Sequence, residues 1–65
     1  MITVNGVERE LTLPLTIHEL LASLGHAERG VAVAVNDAVV PRAAWATTSI
    51  ADGMAVEILT AVQGG

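Results

Sequence analysis

Ile2, Thr3 and Val4 alternate apolar, polar, apolar, and Asn5-Gly6 follows them. The alternation predicts a strand, and Asn-Gly predicts a tight hairpin, because both residues tolerate positive φ. The return strand is expected over 7–13, with Val7, Leu11 and Leu13 on one face and Glu8, Glu10 and Thr12 on the other. Arg9 falls on the apolar face. Either it lies near a sheet edge with its head in water, or a bulge shifts the register. Pro14 ends the strand. Thr16-Ile17-His18-Glu19 then reads as a capping box, with Thr16 as N-cap and Glu19 as its reciprocal partner. Ile17, Leu20, Leu21 and Leu24 stand at i, i+3, i+4 and i+7, one helical stripe, so a helix is predicted over about residues 17–24. Gly25 occupies the left-handed position that closes it.

Val31 to Val35 is apolar at every position, and its β-branched valines alternate with alanines. This predicts a strand with valines toward the core and small alanines on the other side. Asn36-Asp37 marks a turn, and Val39-Val40 a short strand closed by Pro41. Residues 41–50 read as irregular, with one helical turn around Arg42 to Trp45. Asp52-Gly53 is a further turn. Val56 to Val62 reads as the last strand, with Val56, Ile58 and Val62 inward. One amphipathic helix and one mostly antiparallel sheet make a two-layer α+β domain. The whole of 1–65 is expected to be one domain, with 62–65 as a flexible tail.

Composition narrows the function classes. The chain has 65 residues, no cysteine and a formal charge of −4, from seven acids against three arginines and no lysine. A chain of this length buries roughly 60% of its unfolded surface and has a thin core. Disulfides and thiolate metal sites are excluded. Nucleic acid and anionic membranes are poor partners for so acidic a surface, whereas a basic protein partner suits it. Met1 to Val4 enters a strand pattern at once, with no basic region before an apolar stretch, and Val31 to Val35 is far too short to span a bilayer. A soluble, cytoplasmic protein is expected.

Catalytic chemistry is scarce. Ser23 and Ser49 lack any activating pattern. His18 and His26, even with Glu19 or Glu28, match no ligand spacing, so no metal site is expected. Glu8 and Glu10 read as a solvated face. Trp45, the lone aromatic residue, is read as a lid on the core whose indole N–H finds a polar partner, in preference to an interface anchor. Arg42 either pairs with a local carboxylate or meets a partner. What the chain does offer is its end, Val62-Gln63-Gly64-Gly65. Two glycines without Cβ can thread a narrow site, so chemistry done to Gly65 is the functional reading, with a frayed terminus as its alternative.

Several of these features together resemble one family. Asn5, Thr16 to Leu21, Val33-Ala34-Val35-Asn36, Val40-Pro41-Arg42 with Trp45, Asp52-Gly53, Val56-Glu57-Ile58 and Gly64-Gly65 resemble the ThiS family, the sulfur carriers of thiamine (thiazole) biosynthesis. The likeness runs along essentially the whole chain. It departs after the Asp-Gly turn, where the family often has an acidic residue and Met54 stands here. The resemblance implies a ubiquitin-like β-grasp, a mixed sheet of four to five strands on one main helix, with the last strand central and parallel to the first. It also implies a carrier and not an enzyme. A ThiF-type enzyme would use ATP and Mg to adenylate the Gly65 carboxylate. Sulfur from a cysteine desulfurase or another sulfide source would convert it to a thiocarboxylate. A ThiG-type thiazole synthase would accept that covalent sulfur. Gly64, Gln63 and Val62 would then enter the partner's active site, and Leu59, Ala61 and Arg42 are the candidate docking residues, with Ala32 and Ala34 beside them. Related carriers for molybdopterin or tRNA thiolation, and a ubiquitin-like protein modifier, share the same tail chemistry.

Overall fold

The computed structural model describes residues 1–12, 14–26 and 29–60. Among them are β1 (Ile2–Val4), β2 (Val7–Arg9), β3 (Leu15–Thr16), α1 (Ile17–Ser23), β4 (Val31–Val35), β5 (Ala38–Val40), a 3₁₀ turn (Arg42–Ala44), β6 (Ser49–Ile50) and β7 (Ala55–Thr60). Five strands form one mixed sheet in the order β2-β1-β7-β4-β5. The last strand is central. It runs parallel to β1, with Val4 beside Val56, and antiparallel to β4, with Val33 beside Ile58. This is the β-grasp arrangement.

Helix α1 starts where its backbone donors find partners. Thr16 Oγ1 accepts from the Glu19 N–H at 3.1 Å, and Glu19 Oε1 accepts from the Thr16 N–H at 2.8 Å. The Ile17 and His18 N–H groups donate to the carbonyls of Thr48 and Trp45. The first donors of a helix have no intrahelical acceptor, so the capping box and the 45–48 segment together satisfy this end. At the other end Gly25 has φ +76. It donates to Ala22 O while His26 donates to Leu21 O, the paired bonds of a Schellman motif.

The core gathers Ile17, Leu20 and Leu21 from α1, Ile2 and Val4 from β1, Val56 and Ile58 from β7, Val33 from β4, with Ile50 and Trp45 closing it. Leu11, Leu15, Leu24, Val31, Val35, Val40 and Met54 pack partly against it. A seven-residue helix is about 10 Å long, whereas five strands span roughly 19 Å at 4.7–4.9 Å apart. The helix therefore covers the middle of the sheet and leaves its edges bare. That corrects the expectation for the second strand. Its regular part ends at Arg9, and Val7, though opposite buried Val4, is 58% exposed. Arg9 lies opposite Ile2 on this edge strand and is exposed, so no bulge is required. Leu13 lies outside the described residues. The β3–β6 ladder, pairing Leu15 with Ile50 and Thr16 with Ser49, is a second correction, since residues 41–50 read as irregular. Two residues per strand carry no periodicity.

Two asparagines complete the central strand where its neighbours turn away. Asn5 and Gly6, at φ +51 and +80, join β1 to β2, and Asn36 and Asp37, at φ +49 and +69, join β4 to β5. These are the double positive-φ turns that match strand twist. Asn5 also accepts from the Ile58 N–H at 2.7 Å and donates to Ile58 O at 3.1 Å, while its own N–H donates to Val56 O at 2.9 Å. Asn36 accepts from Ala55 N at 2.9 Å and its backbone N–H donates to Ala55 O at 2.8 Å. Each side chain extends a ladder past the end of its strand. Asn5→Gly retains the turn and removes only the side-chain bonds. At about 1 kcal/mol per bond it is expected to lower unfolding free energy by roughly 1–2 kcal/mol in urea titration. An unchanged midpoint would show that the clamp adds nothing.

The Asp52-Gly53 turn is tied to the start of β1. The Met1 ammonium pairs with Asp52, and the Gly53 N–H donates to Met1 O at 2.9 Å. Met54 packs half-buried against the core, and its sulfur accepts from the Ala51 N–H at 3.3 Å. The methionine that departs from the family pattern thus serves its own turn.

Candidate functional site

Strand β7 divides its side chains between two tasks. Val56 and Ile58 enter the core, and Ala55, Glu57 and Leu59 project from the opposite sheet face. Leu59 is 67% exposed and stands beside Ala32 of β4. Ala34 stands beside Glu57 on one side and Val39 of β5 on the other. Val39 is 77% exposed. Of the two alanines expected beside Leu59, the register brings Ala32 to it, while Ala34 lies two residues along β4, beside Glu57. Ala61, Val62, Gln63, Gly64 and Gly65 lie outside the described residues.

Arg42 is exposed on the 3₁₀ turn that follows β5. Strand β5 is antiparallel to β4, and β4 to β7, so β5 and β7 run the same way. The chain leaves both at one end of the sheet, which places Arg42 at the end where β7 leads on toward Gly65, two strands across. Trp45 is 2% exposed, and its indole N–H donates to Val40 O at 2.9 Å. That is the structural reading, and it removes Trp45 from the surface. The run Val40-Pro41-Arg42 with Trp45 is thus a packing unit: Pro41 leads into the turn, and Trp45 returns to bond the residue before the proline. His18 is exposed on α1, and His26 is half-buried after it. Among the described residues no group of three or more histidines and acids stands close enough to hold a metal ion. Nor is any helix among them long and apolar enough to cross a membrane.

Val39 and Glu57 are the surface residues that sequence reading passed over. Val39 looked like part of a short strand, and Glu57 like the polar half of an alternation. Nothing local says that both flank one alanine of β4; that follows from strand order alone.

The fold and the outward face of β7 define a ubiquitin-like β-grasp domain whose central strand leads toward a Gly-Gly end. The ThiS family matches residues 2–65, and the chain belongs to it. It is 38% identical over 50 residues to the sulfur carrier protein ThiS of Escherichia coli (strain K12), covering 77% of this chain and 76% of that one. It is 36% identical over 64 residues to a thiazole synthase of Paramagnetospirillum magneticum, covering 98% of this chain. The match spans only 20% of that synthase's length. The crystal structure of a thiamine biosynthesis protein (ThiS) from Geobacter metallireducens superposes with a TM-score of 0.84 at 37% identity, covering 98% of this chain and 97% of that one.

Proposed function

We infer that this protein is a sulfur carrier for thiazole formation in thiamine biosynthesis, a co-substrate of other enzymes and not itself a catalyst. The observation that carries the reading is the family match, which extends over residues 2–65 and so takes in Gly64-Gly65. The thiazole synthase relative supports a ThiG-type acceptor, because a segment like this chain makes up a fifth of it. The same relative favours thiazole over molybdopterin or tRNA as the destination of the sulfur.

The chemistry follows from the carboxylate. A free carboxylate resists sulfur attack, because oxide would have to leave. In the proposed cycle a Gly65 carboxylate oxygen attacks the α-phosphorus of ATP, held with Mg by a ThiF-type enzyme, and pyrophosphate leaves. Sulfur from a desulfurase persulfide or another sulfide source then attacks the acyl carbon, and AMP departs with the oxygen. With hydrosulfide this gives the thiocarboxylate directly. With a persulfide an acyl disulfide forms, and a reductant must cleave it. The thiazole synthase takes the sulfur and the carboxylate returns. Both activated forms need shelter from water, which calls for a closed partner channel. A tail ending in two glycines suits such a channel. The cycle depends on ATP, which places the protein in the cytoplasm.

The test is the intact mass after incubation with a ThiF-type enzyme, ATP, Mg and a sulfide source. A gain matching replacement of one oxygen by sulfur, mapped to Gly65, is expected. An unchanged mass with an active enzyme overturns the reading. Stable amide adducts to lysines of other proteins would support a protein modifier instead.

A further inference from the structure

The tip of the first hairpin carries Asn5-Gly6, the one asparagine-glycine pair in the chain. That pair is chemically labile. The backbone nitrogen that follows an asparagine can attack the side-chain carbonyl carbon, and a glycine there has no Cβ to obstruct the approach. Asparagine is for this reason among the thermolabile residues. Here the same side chain is also a structural part. Its Oδ1 accepts from the Ile58 N–H at 2.7 Å, and its Nδ2 donates to Ile58 O at 3.1 Å. Strand β1 pairs with β7 only as far as Val4 beside Val56. Beyond that point the Asn5 carboxamide stands where a strand would. Asn5 is itself exposed, so water reaches the turn. Asn36, the other asparagine, sits in a turn of the same kind, but Asp37 follows it, with a Cβ and a negative charge.

We propose that Asn5 is a deamidation site latched by β7: it reacts only when its clamp on Ile58 opens, and the product cannot close the clamp again. The site is independent of the sulfur-carrier reading. The reaction starts when hydroxide takes the Gly6 amide proton. The Gly6 nitrogen then bonds to Asn5 Cγ, the Cγ–Nδ2 bond breaks, and ammonia leaves with a proton from water. A five-membered succinimide remains. Water adds to one of its two carbonyls and breaks that carbonyl's bond to the Gly6 nitrogen. Opening at Cγ gives aspartate; opening at the backbone carbonyl gives an isoaspartyl link through Cγ. One water enters, one ammonia departs, and nothing is oxidised or reduced. Closing the ring turns the carboxamide onto Gly6, so both bonds to Ile58 break first. Each bond weights the clamped form by about fivefold, so two give roughly twenty-five-fold protection. The products explain the latch. A carboxylate at residue 5 still accepts from the Ile58 N–H, but it has no hydrogen for Ile58 O, and two oxygens face each other. An isoaspartyl link adds a backbone atom to a two-residue turn at positive φ and disturbs the pairing of Val4 with Val7. Either way Ile58 is no longer held on the β1 side, and local opening of this end of β7 becomes easier.

The experiment ages the full-length protein at one pH and temperature, in buffer and in unfolding urea, and follows it by intact mass and peptide mapping. In urea, a mass gain matching replacement of NH2 by OH is expected to accumulate at residue 5, as both aspartyl and isoaspartyl peptides, while Asn36 stays intact. In buffer the rate at residue 5 is expected to be roughly tenfold lower or less, because the reaction waits for the clamp to open. Asn5→Asp reproduces one product, and its urea midpoint is expected below that of wild type. Equal rates in buffer and urea overturn the latch. Absence of reaction at residue 5 in urea, or reaction of Asn36 as fast as Asn5, overturns the site. An Asn5→Asp protein with the wild-type midpoint overturns the claim that the product cannot close the clamp. A variant that fails to fold supports that claim, and the two rates, measured on wild type alone, decide the gating in either case.

Discussion

Removing Gly65 is expected to suppress thiocarboxylate formation by at least a hundredfold without moving the melting temperature. The shortened chain still ends in a carboxylate, now on Gly64, so the loss cannot be assigned to missing chemistry. It comes from reach. One residue contributes about 3.5 Å to an extended chain, and misplacing a reacting group by 1 Å can cost about a hundredfold. In the proposed cycle the folded domain docks at a fixed distance from the adenylating site, so a shorter tail would leave its carboxylate short of the α-phosphorus. Stability is untouched, because no buried core residue lies beyond Ile58 among the described residues. Gly64→Ala keeps the length and adds one methyl group. It should fold as wild type and slow activation, to the extent that the channel touches the tail. Intact mass and pyrophosphate release read both variants. If the shortened protein acquires sulfur at the wild-type rate, the tail is not held in a fixed channel, and the reading of the Gly-Gly end is wrong.

Trp45→Ala is expected to leave little folded protein at room temperature. Truncating a buried Trp costs about 3–5 kcal/mol. A domain of this size has roughly 3–10 kcal/mol of stability in total, at 0.05–0.15 kcal/mol per residue. The indole also ties three parts together: its N–H bonds Val40 O at the end of β5, its ring lies in the core, and its backbone carbonyl accepts from His18 at the start of α1. Trp45→Phe retains most of the ring and loses the hydrogen bond, worth about 1 kcal/mol, so its melt should fall by roughly 4–8 °C. Circular dichroism is the right probe, since the substitution removes the chain's only tryptophan. If Trp45→Ala melted within a few degrees of wild type, the indole would be a surface cover and not a core member.

Some of this was already written locally in the chain. The capping box at Thr16 and Glu19, the stripe from Ile17 to Leu24 and the glycine after it specify a helix and both its ends, because their partners lie within one or two turns. The Asn5-Gly6 and Asn36-Asp37 turns specify hairpins, because positive φ is a property of two adjacent residues. The indole's need for an acceptor was legible from Trp45 itself. The role proposed for the Gly-Gly end rests on an absence of side chains, which is read without any fold.

Tertiary structure decided what depends on distant neighbours. Val7 faces the helix side and is still exposed, because a seven-residue helix cannot cover a five-strand sheet. Leu15 and Ile50 pair across 34 intervening positions, in strands too short to show a period. Asn5 clamps Ile58 because β7 returns between β1 and β4, a fact of strand order that no window of sequence contains. The outward face of the sheet has the same origin. Leu59, Ala34 and Val39 lie in three separate segments, and a hydrophobic pattern records which side of a strand a residue takes without naming the strand beside it.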